Sequence, residues 1–310
     1  MNDYRYYFAP LEGITTWVYR QTHAQVYRPL DKYFIPFIEP HEKRDFKKKE
    51  LKEILPEHNE GIYAVPQILT KQADGFVKVA CALQKLGYQE VNLNLGCPSR
   101  TVTSKCKGSG FLALPEELKH FLEEIYGALD LKISIKTRIG IEDPEEFHKL
   151  LEIYNQFPLE ELIIHPRTQT DYYNNTPRLS CYEEAIKKSK NPLCYNGDLF
   201  TARKIQEFQQ RFPKERCLML GRGLILNPGL LCDGTKQQFE QFHDTLIQRY
   251  LEEGLEENNV LFKMKELWFY QIHLFKGAER YGKKIKKVRG LTEYREVVRE
   301  VLLECGIQTH

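Results

Sequence analysis

The sequence predicts a (β/α)8 TIM barrel followed by a small all-α helical domain, and three observations support this prediction. Eight short segments rich in β-branched and aromatic residues recur about every 30 residues along the first roughly 230 residues. Helical patterns separate these segments. After Pro228 the strand-type segments stop and only helical patterns follow. A doubly wound open sheet is the alternative architecture for the same alternation.

The predicted strands are 6–11, 32–37, 62–69, 90–96, 132–140, 161–167, 192–198 and 216–223. Between them, residues 72–87 keep apolar residues on one stripe at helical spacing. Residues 115–129 and 144–157 each begin with proline and continue with acidic residues, which is typical of helix N-termini. Beyond Pro228, Gly254, Gly277 and Gly290 separate three helical segments. We therefore expect a barrel domain over residues 1–236 and a helical domain over residues 237–310.

Composition narrows the class of protein. Of the residues, 42% are hydrophobic and 28% are charged, which is typical of a globular chain. No apolar run reaches the roughly 18 residues of a membrane span, and the N-terminus lacks a secretory pattern. The eight cysteines show no C-x-x-C spacing, so we expect neither a disulfide framework nor a metal site. These features favour a cytoplasmic protein.

Polar residues cluster where the predicted strands end, which in such barrels is the face that carries chemistry. They are Gln67, Asn94, Cys97, Lys136, Arg138, His165 and Arg167. Burying such side chains costs free energy unless they bind something, so we expect a polar, planar ligand. After the last two strands, Asn196, Gly197 and Asp198 and then Gly221, Arg222 and Gly223 supply the glycines and the cation of a phosphate site. The alternative is that both segments are only tight turns.

Several motifs, in order and spacing, resemble the tRNA-dihydrouridine synthases over residues 8–228. They are APLEGIT, NLNLGCPSRTVTSKCKGSGFLA, KTRIG, IIHPRT, NGDL and MLGRGLI, with the GCPS segment the most specific. The resemblance implies an FMN-binding barrel, a C-terminal helical domain that holds tRNA, and NADPH as reductant. The implied reaction reduces the C5=C6 bond of particular uridines, with hydride from the reduced flavin to C6 and a proton from Cys97 to C5.

The resemblance also implies roles for individual residues. Pro10, Leu11 and Glu12 match the loop against the flavin, Gln67 matches a contact to the isoalloxazine edge, and Asn94 orients the reacting groups. Lys136 matches the cation at the flavin pyrimidine edge, and His165 matches a further flavin contact. Asn196, Gly197, Asp198, Gly221 and Arg222 match the phosphate and ribitol contacts. Relatives often carry Met and Asp where this chain has Leu11 and Thr16.

Chemistry independently suits Cys97 to the role of acid. An ordinary thiol, with a pKa near 8.5, is protonated at neutral pH and can donate. Cys106 follows nine residues later between Lys105 and Lys107, where we expect a solvated loop. GSGFLA, residues 108–113, lies too far from its strand to bind a dinucleotide, and we interpret its glycines as loop residues.

RNA contacts are expected in the helical domain. Residues 276–289 carry seven basic residues against the single acid Glu279, and the predicted contacts are Lys283, Lys284, Lys286, Lys287 and Arg289. The alternative is a solvated helix face. Trp268, Phe269 and Tyr270 cannot share one helix face, so we expect two of them to pack in the core and at most one to contact an RNA base. Many relatives have a motif of lysine and histidine in this domain, and Lys263, Lys265 and Glu266 match it only in part.

The sequence is thus compatible with three functions. The first is the flavoenzyme acting on tRNA, without a membrane or an obligate protein partner. The second is a flavin-dependent barrel reductase of a small pyrimidine or enone, which has no need of a basic helical domain. The third is a non-catalytic RNA-binding relative, which has no need of Cys97 and Lys136.

Overall fold

A computed structural model describes residues 4–232 and 234–308 of the chain, and its centre is a closed barrel. Eight parallel strands pair in chain order, and the first pairs with the last. The strands are β1 Arg5–Phe8, β2 Lys32–Ile38, β3 Ala64–Ile68, β4 Glu90–Leu95, β5 Lys132–Arg138, β6 Leu162–His165, β7 Leu193–Asn196 and β8 Cys217–Leu220. The predicted barrel is confirmed, and the open sheet is excluded.

Helices connect the strands and form the outer layer. They are α1 Trp17–Val26, α2 Lys48–Ile54, α3 Ala73–Lys85, α4 Arg100–Thr103, α5 Pro115–Ala128, α6 Glu146–Tyr154, α7 Leu179–Lys188, α8 Ala202–Arg211 and α9 Arg222–Leu226. Short 3-10 helices occupy Pro56–His58 and Gly108–Ala113. α5 begins at Pro115 with two glutamates in its first turn, as predicted.

Strand side chains alternate between two cores. The larger core lies between the strands and the helices and includes Val91, Leu93 and Leu95 of β4. The smaller core lies inside the barrel and consists of Tyr7, Ala9, Phe34, Val65, Ile163, Cys194, Cys217 and Met219. Asn92 and Asn94, on the opposite side of β4 from the leucines, therefore point into the barrel.

Among the described residues, four α-helices follow the barrel, and a 3-10 helix, Ile272–Leu274, lies between the second and third. They are α10 Lys236–Glu252, α11 Glu257–Gln271, α12 Glu279–Lys287 and α13 Leu291–Glu304. A capping box at Thr235 starts α10, where the Thr235 side chain accepts from the Gln238 N–H. The predicted helical segment is thus present, and its division from the barrel at residues 236/237 stays a prediction.

α10 packs on α1 of the barrel. The Phe242 ring lies 5.2 Å from the Tyr19 ring and 5.6 Å from the Tyr27 ring, and the Tyr250 and Thr16 hydroxyls are 3.0 Å apart. α11 extends this contact to the loop after β1, where Lys263 Nζ donates to the Gly13 carbonyl at 3.2 Å. Within residues 4–232 and 234–308, no helix is both long enough and apolar enough to cross a membrane.

Candidate active site

A cavity lies at the C-terminal ends of the strands. Its lining consists of Ala9, Pro10, Leu11, Lys136, His165, Tyr173, Asn196, Gly197, Asp198, Leu199, Phe200, Gly221, Arg222 and Gly223. Residues from the loops after β1, β7 and β8 meet there with the ends of β5 and β6. The fold therefore brings most of the sequence-predicted site residues together around one space.

Glycine is required at two positions of this lining, Gly197 and Gly223, and a third glycine, Gly221, is tightly packed. A Cβ atom on Gly197 would lie 2.1 Å from the Tyr195 hydroxyl oxygen, and one on Gly223 would lie 2.1 Å from the Leu199 carbonyl oxygen. A Cβ atom on Gly221 would lie 3.3 Å from that of Ala9. Bare backbone therefore lines this side of the cavity, and a ligand can approach it closely.

Asp198 holds two arginines at the same end of the cavity. Arg167 Nη1 and Nη2 donate to its two carboxylate oxygens at 3.0 and 2.5 Å, and Arg222 Nη2 donates to Oδ1 at 2.9 Å. The Arg222 guanidinium also lies 4.4 Å from the Tyr173 ring centre. Asp198 therefore positions Arg222, whose remaining N–H groups are available to a ligand. Asn196 Nδ2 donates to the Met219 carbonyl at 2.8 Å.

His165 is held as a neutral imidazole. Arg167 Nη1 lies 2.9 Å from His165 Nε2, and because a guanidinium can only donate, Nε2 must accept. The proton therefore sits on Nδ1. Burial holds the pKa of His165 well below its usual value, and the nearby Lys136 and Arg138 cations lower it further.

Lys136 faces the cavity as a cation without a partner. Its ammonium makes no hydrogen bond and no ion pair with any other residue in the described part of the chain, although it lines the cavity. Burial, with a smaller contribution from Arg138, lowers its pKa to about 8. An ammonium placed in this way favours a ligand that brings negative charge or carbonyl oxygens.

Cys97, Asn94 and Gln67 form one hydrogen-bonded group beside the cavity. Asn94 Oδ1 accepts from the N–H groups of Gly96 and Cys97, each at 3.0 Å, and Asn94 Nδ2 donates to Gln67 Oε1 at 2.6 Å. Asn94 pairs in register with Lys136 on β5, which sets the group next to the cavity. Burial raises the pKa of the half-buried Cys97 thiol, so it is protonated at neutral pH.

The segment after α4 supports the Cys97 backbone. The Ser109 N–H and hydroxyl both donate to the Cys97 carbonyl, at 3.1 and 2.9 Å. Gly108 has φ +58°, and a Cβ atom there would lie 2.8 Å from the same carbonyl oxygen. The sequence interpretation of these glycines as loop residues missed this role, because the return of the chain to Cys97 is a tertiary contact.

Arg138, noted only as a polar strand end, also supports this loop. Its Nε donates to the Gly96 carbonyl at 3.0 Å, and its Nη groups donate to the Thr168 and Tyr172 carbonyls, each at 2.7 Å. Tyr173 follows, lines the cavity and is 51% exposed. Tyr173 and Phe200 lie in loops beyond their strands, and no sequence pattern pointed to them.

Glu12 and Cys106 lie outside the cavity lining. Glu12 is exposed and pairs with Lys49 at 3.3 Å, although its charge is close enough to Cys97 to raise the thiol pKa further. Cys106 is half-buried at a left-handed turn with φ +52°. Of the expected flavin loop, Pro10 and Leu11 therefore face the cavity and Glu12 faces outward.

The surface of α11 and α12 is basic and partly aromatic. Lys283, Lys284, Lys286, Lys287 and Arg289 are all exposed, and Lys284 pairs with Glu300 at 2.6 Å. Phe262 and Phe269, two turns apart on α11, are 73% and 75% exposed. Lys265 between them donates to the Val288 carbonyl at 2.6 Å, which joins α11 to the end of α12. Trp268 is buried and Tyr270 half-buried, so Phe269 is the exposed member of the aromatic triplet.

Comparisons with known proteins identify relatives of this chain. The chain is 27% identical to the tRNA-dihydrouridine synthase B of Pasteurella multocida over 73% of its own length and 65% of the relative. It is 23% identical to a probable tRNA-dihydrouridine synthase of Staphylococcus epidermidis over 94% and 91% of the two chains.

Solved structures with the same fold are more distant. The histamine dehydrogenase of Rhizobium sp. 4-9 superposes with a TM-score of 0.55 at 11% identity, over 88% of this chain and 51% of that one. A 2-naphthoyl-CoA reductase gives the same TM-score at 10% identity. The chain spans about half the length of these two proteins, and its likeness to them is one of fold alone. The family model described as dihydrouridine synthase (Dus) matches residues 7–305, nearly the whole chain, and the protein therefore belongs to the dihydrouridine synthase family.

Proposed function

We propose that this protein is an FMN-dependent, NADPH-driven tRNA-dihydrouridine synthase that reduces the C5=C6 bond of uridine. The observation that carries the proposal is a single cavity with a glycine-lined, arginine-bearing end, an unpartnered lysine and, beside it, a protonated thiol. Membership of the family supports the same reaction. A small-substrate reductase is less well supported, because it leaves the basic and aromatic surface of α11 and α12 without a role.

The cavity fits FMN by the chemistry of its donors. Backbone at Gly197, Gly221 and Gly223, together with the free N–H groups of Arg222, suits a phosphate. The Lys136 ammonium suits the electron-rich pyrimidine edge of the flavin, where it favours the reduced, anionic form. When bound, the cofactor supplies the hydride for uracil C6, with NADPH as the source of the electrons.

Cys97 is the proposed acid. Reduction of the C5=C6 bond by hydride at C6 places electron density on C5, which must take up a proton. The raised pKa of Cys97 keeps that proton on Sγ at neutral pH, and Asn94 and Ser109 hold its backbone from both sides. His165, neutral and hydrogen-bonded to Arg167, contributes a Nδ1–H donor to the bound ligand.

The exposed surface of α11 and α12 is the proposed tRNA contact. Lys283, Lys286, Lys287 and Arg289 make no ion pair with an acidic side chain among the described residues, so they can pair with phosphates. Phe262 and Phe269 offer flat apolar faces for unpaired bases.

All eight cysteines are free thiols, which supports a reducing, cytoplasmic location.

The test compares Cys97→Ala with Cys106→Ala in the purified protein. Both variants should keep the visible flavin spectrum and its bleaching by NADPH, because neither thiol lines the cavity. Cys97→Ala should lose uridine reduction by a factor of about 10² to 10⁴, the usual size of a proton-transfer contribution. Cys106→Ala should retain it. Full activity in Cys97→Ala contradicts the assignment, and a purified protein without flavin contradicts the proposed function as a whole.

A further inference from the structure

A chain of buried hydrogen bonds runs through the barrel from the Cys97 loop to the opposite end of β4. Beyond the contact of Asn94 with Gln67, Gln67 Nε2 donates to Asn92 Oδ1 at 2.7 Å. Asn92 Nδ2 lies 2.9 Å from Ser134 Oγ, and Ser134 Oγ lies 2.9 Å from Glu90 Oε1. Glu90 and Asn94 are four residues apart on one strand, so the chain spans about 13 Å of the barrel interior.

Glu90 belongs to a buried ionic cluster at the far end of the barrel. Lys32 Nζ donates to Glu90 Oε2 at 2.8 Å and to Glu161 Oε2 at 3.1 Å. Glu161 is held in turn by the Tyr7 hydroxyl at 2.5 Å and by Arg5 at 3.2 Å. With an ammonium on one oxygen and a hydroxyl on the other, the Glu90 carboxylate is fixed as an acceptor.

The two ends of the chain impose one direction on every hydrogen bond in it. At the catalytic end, backbone N–H groups can only donate, so the Asn94 atom that meets them must be Oδ1. At the far end, a carboxylate can only accept, so the Ser134 hydroxyl must donate to Glu90 and accept from Asn92. Between these ends, rotating the side-chain amide of Asn92 or Gln67 by 180° would exchange its oxygen and nitrogen. Two donors or two acceptors would then face each other, so both amides have one allowed orientation.

We propose that Glu90, through Ser134 and Asn92, is a positioning residue that holds the Gln67 and Asn94 amides in the orientation needed by the Cys97 loop and by the ligand beside it. Gln67 thereby presents one remaining N–H and one remaining lone pair in fixed places. The benefit is preorganisation of the site from a rigid part of the fold. This inference rests on the proposed function only for the identity of the ligand, since the chain is formed by the residues themselves.

Ser134→Ala tests the inference, because it removes one heavy atom and cuts the chain between Asn92 and Glu90. Cys194→Ala is the matched control, since it removes one heavy atom from the same barrel interior and its thiol takes part in none of the hydrogen bonds of the chain. Ser134→Thr retains the hydroxyl and is the rescue variant. Two readouts apply to the full chain: hydrogen exchange at the Gly96 and Cys97 N–H groups, and the separate kcat and KM for uridine reduction.

We expect Ser134→Ala to speed exchange at both N–H groups about tenfold and to lower kcat about tenfold at unchanged KM for RNA, the effect of one lost buried hydrogen bond. Cys194→Ala should change neither, and Ser134→Thr should restore both. Equal exchange rates in Ser134→Ala and Cys194→Ala overturn the inference, as does a kcat in Ser134→Ala equal to that of the control. If Ser134→Ala does not fold, Glu90→Gln replaces it and should speed the same exchange. A protein without flavin or activity contradicts the proposed function alone, because the exchange measurement still decides the inference.

Discussion

Replacing Lys136 by methionine should stabilise the cofactor-free protein while weakening cofactor binding. Burial lowers the Lys136 pKa from 10.5 to about 8. At 1.36 kcal/mol per pKa unit, a charged Lys136 costs about 3 kcal/mol of folding free energy at pH 7. Lys136→Met removes this cost and should raise the melting temperature by roughly 5–10 °C.

The pH dependence identifies the cause of this gain. Because the folded-state pKa lies below the unfolded value, the cost is fully present below about pH 8 and disappears as the pH rises through 10.5. The advantage of Lys136→Met should therefore fall from about 3 kcal/mol at pH 7 to about 1 kcal/mol at pH 10. Thermal unfolding followed by circular dichroism at the two pH values measures it.

The control is Lys132→Met on the same strand, where the lysine is exposed and pairs with Glu160 at 3.2 Å. Lys132→Met should change the free energy of unfolding by less than about 0.5 kcal/mol. FMN affinity of Lys136→Met should fall by a factor of about ten or more, the worth of one charge-assisted hydrogen bond. An unchanged melting temperature, or a gain equal at pH 7 and pH 10, refutes the reasoning.

Three further predictions concern the thiol, its supporting loop and the RNA surface. Alkylation of Cys97 by iodoacetamide, followed by peptide mass spectrometry, should accelerate at a higher pH than that of free cysteine, because burial raises the thiol pKa. A midpoint near pH 7 would make Cys97 a nucleophile and not an acid. Gly108→Ala should destabilise the protein by about 1–3 kcal/mol and lower activity, because Gly108 has a left-handed backbone and lies close to the Cys97 carbonyl. The control Gly127→Ala, which places its methyl group in open space on α5, should do neither. Equal denaturation midpoints for the two variants would exclude backbone strain at Gly108. The double variant Phe262→Ala, Phe269→Ala should weaken tRNA binding without changing its salt dependence, whereas neutralising Lys283, Lys286, Lys287 and Arg289 should lower the slope of affinity against salt. Gel shifts at several salt concentrations measure both effects, and an unchanged affinity in both variants would exclude an RNA contact on this surface.

The sequence predicted the barrel and most of the cavity lining for one physical reason. In a closed parallel barrel every strand ends on the same face, so polar residues at strand ends such as Lys136 and His165 must converge. Once the strands are located from the periodic pattern of the sequence, the residues at their ends can be predicted to be neighbours without further knowledge of the fold.

What the sequence could not provide are the contacts made by loops that return from a distance. Ser109 reaches the Cys97 carbonyl from twelve residues away, and Tyr173 enters the lining from a loop with no periodic pattern. The pairing of Asp198 with Arg167 and Arg222 escaped the sequence for the same reason, since it depends on the relative positions of three loops. Glu90 and Ser134 lie at ordinary strand positions, and only the register of β4 and β5 joins them to the site.

The most direct test of the central claim is a reduction assay with unmodified tRNA, NADPH and the purified protein, followed by position-resolved mapping of dihydrouridine. The proposed function predicts a visible flavin spectrum in the protein, oxidation of NADPH that depends on tRNA, and dihydrouridine at defined positions in wild type but not in Cys97→Ala. A protein that carries flavin and oxidises NADPH but leaves every uridine in tRNA unreduced would contradict it.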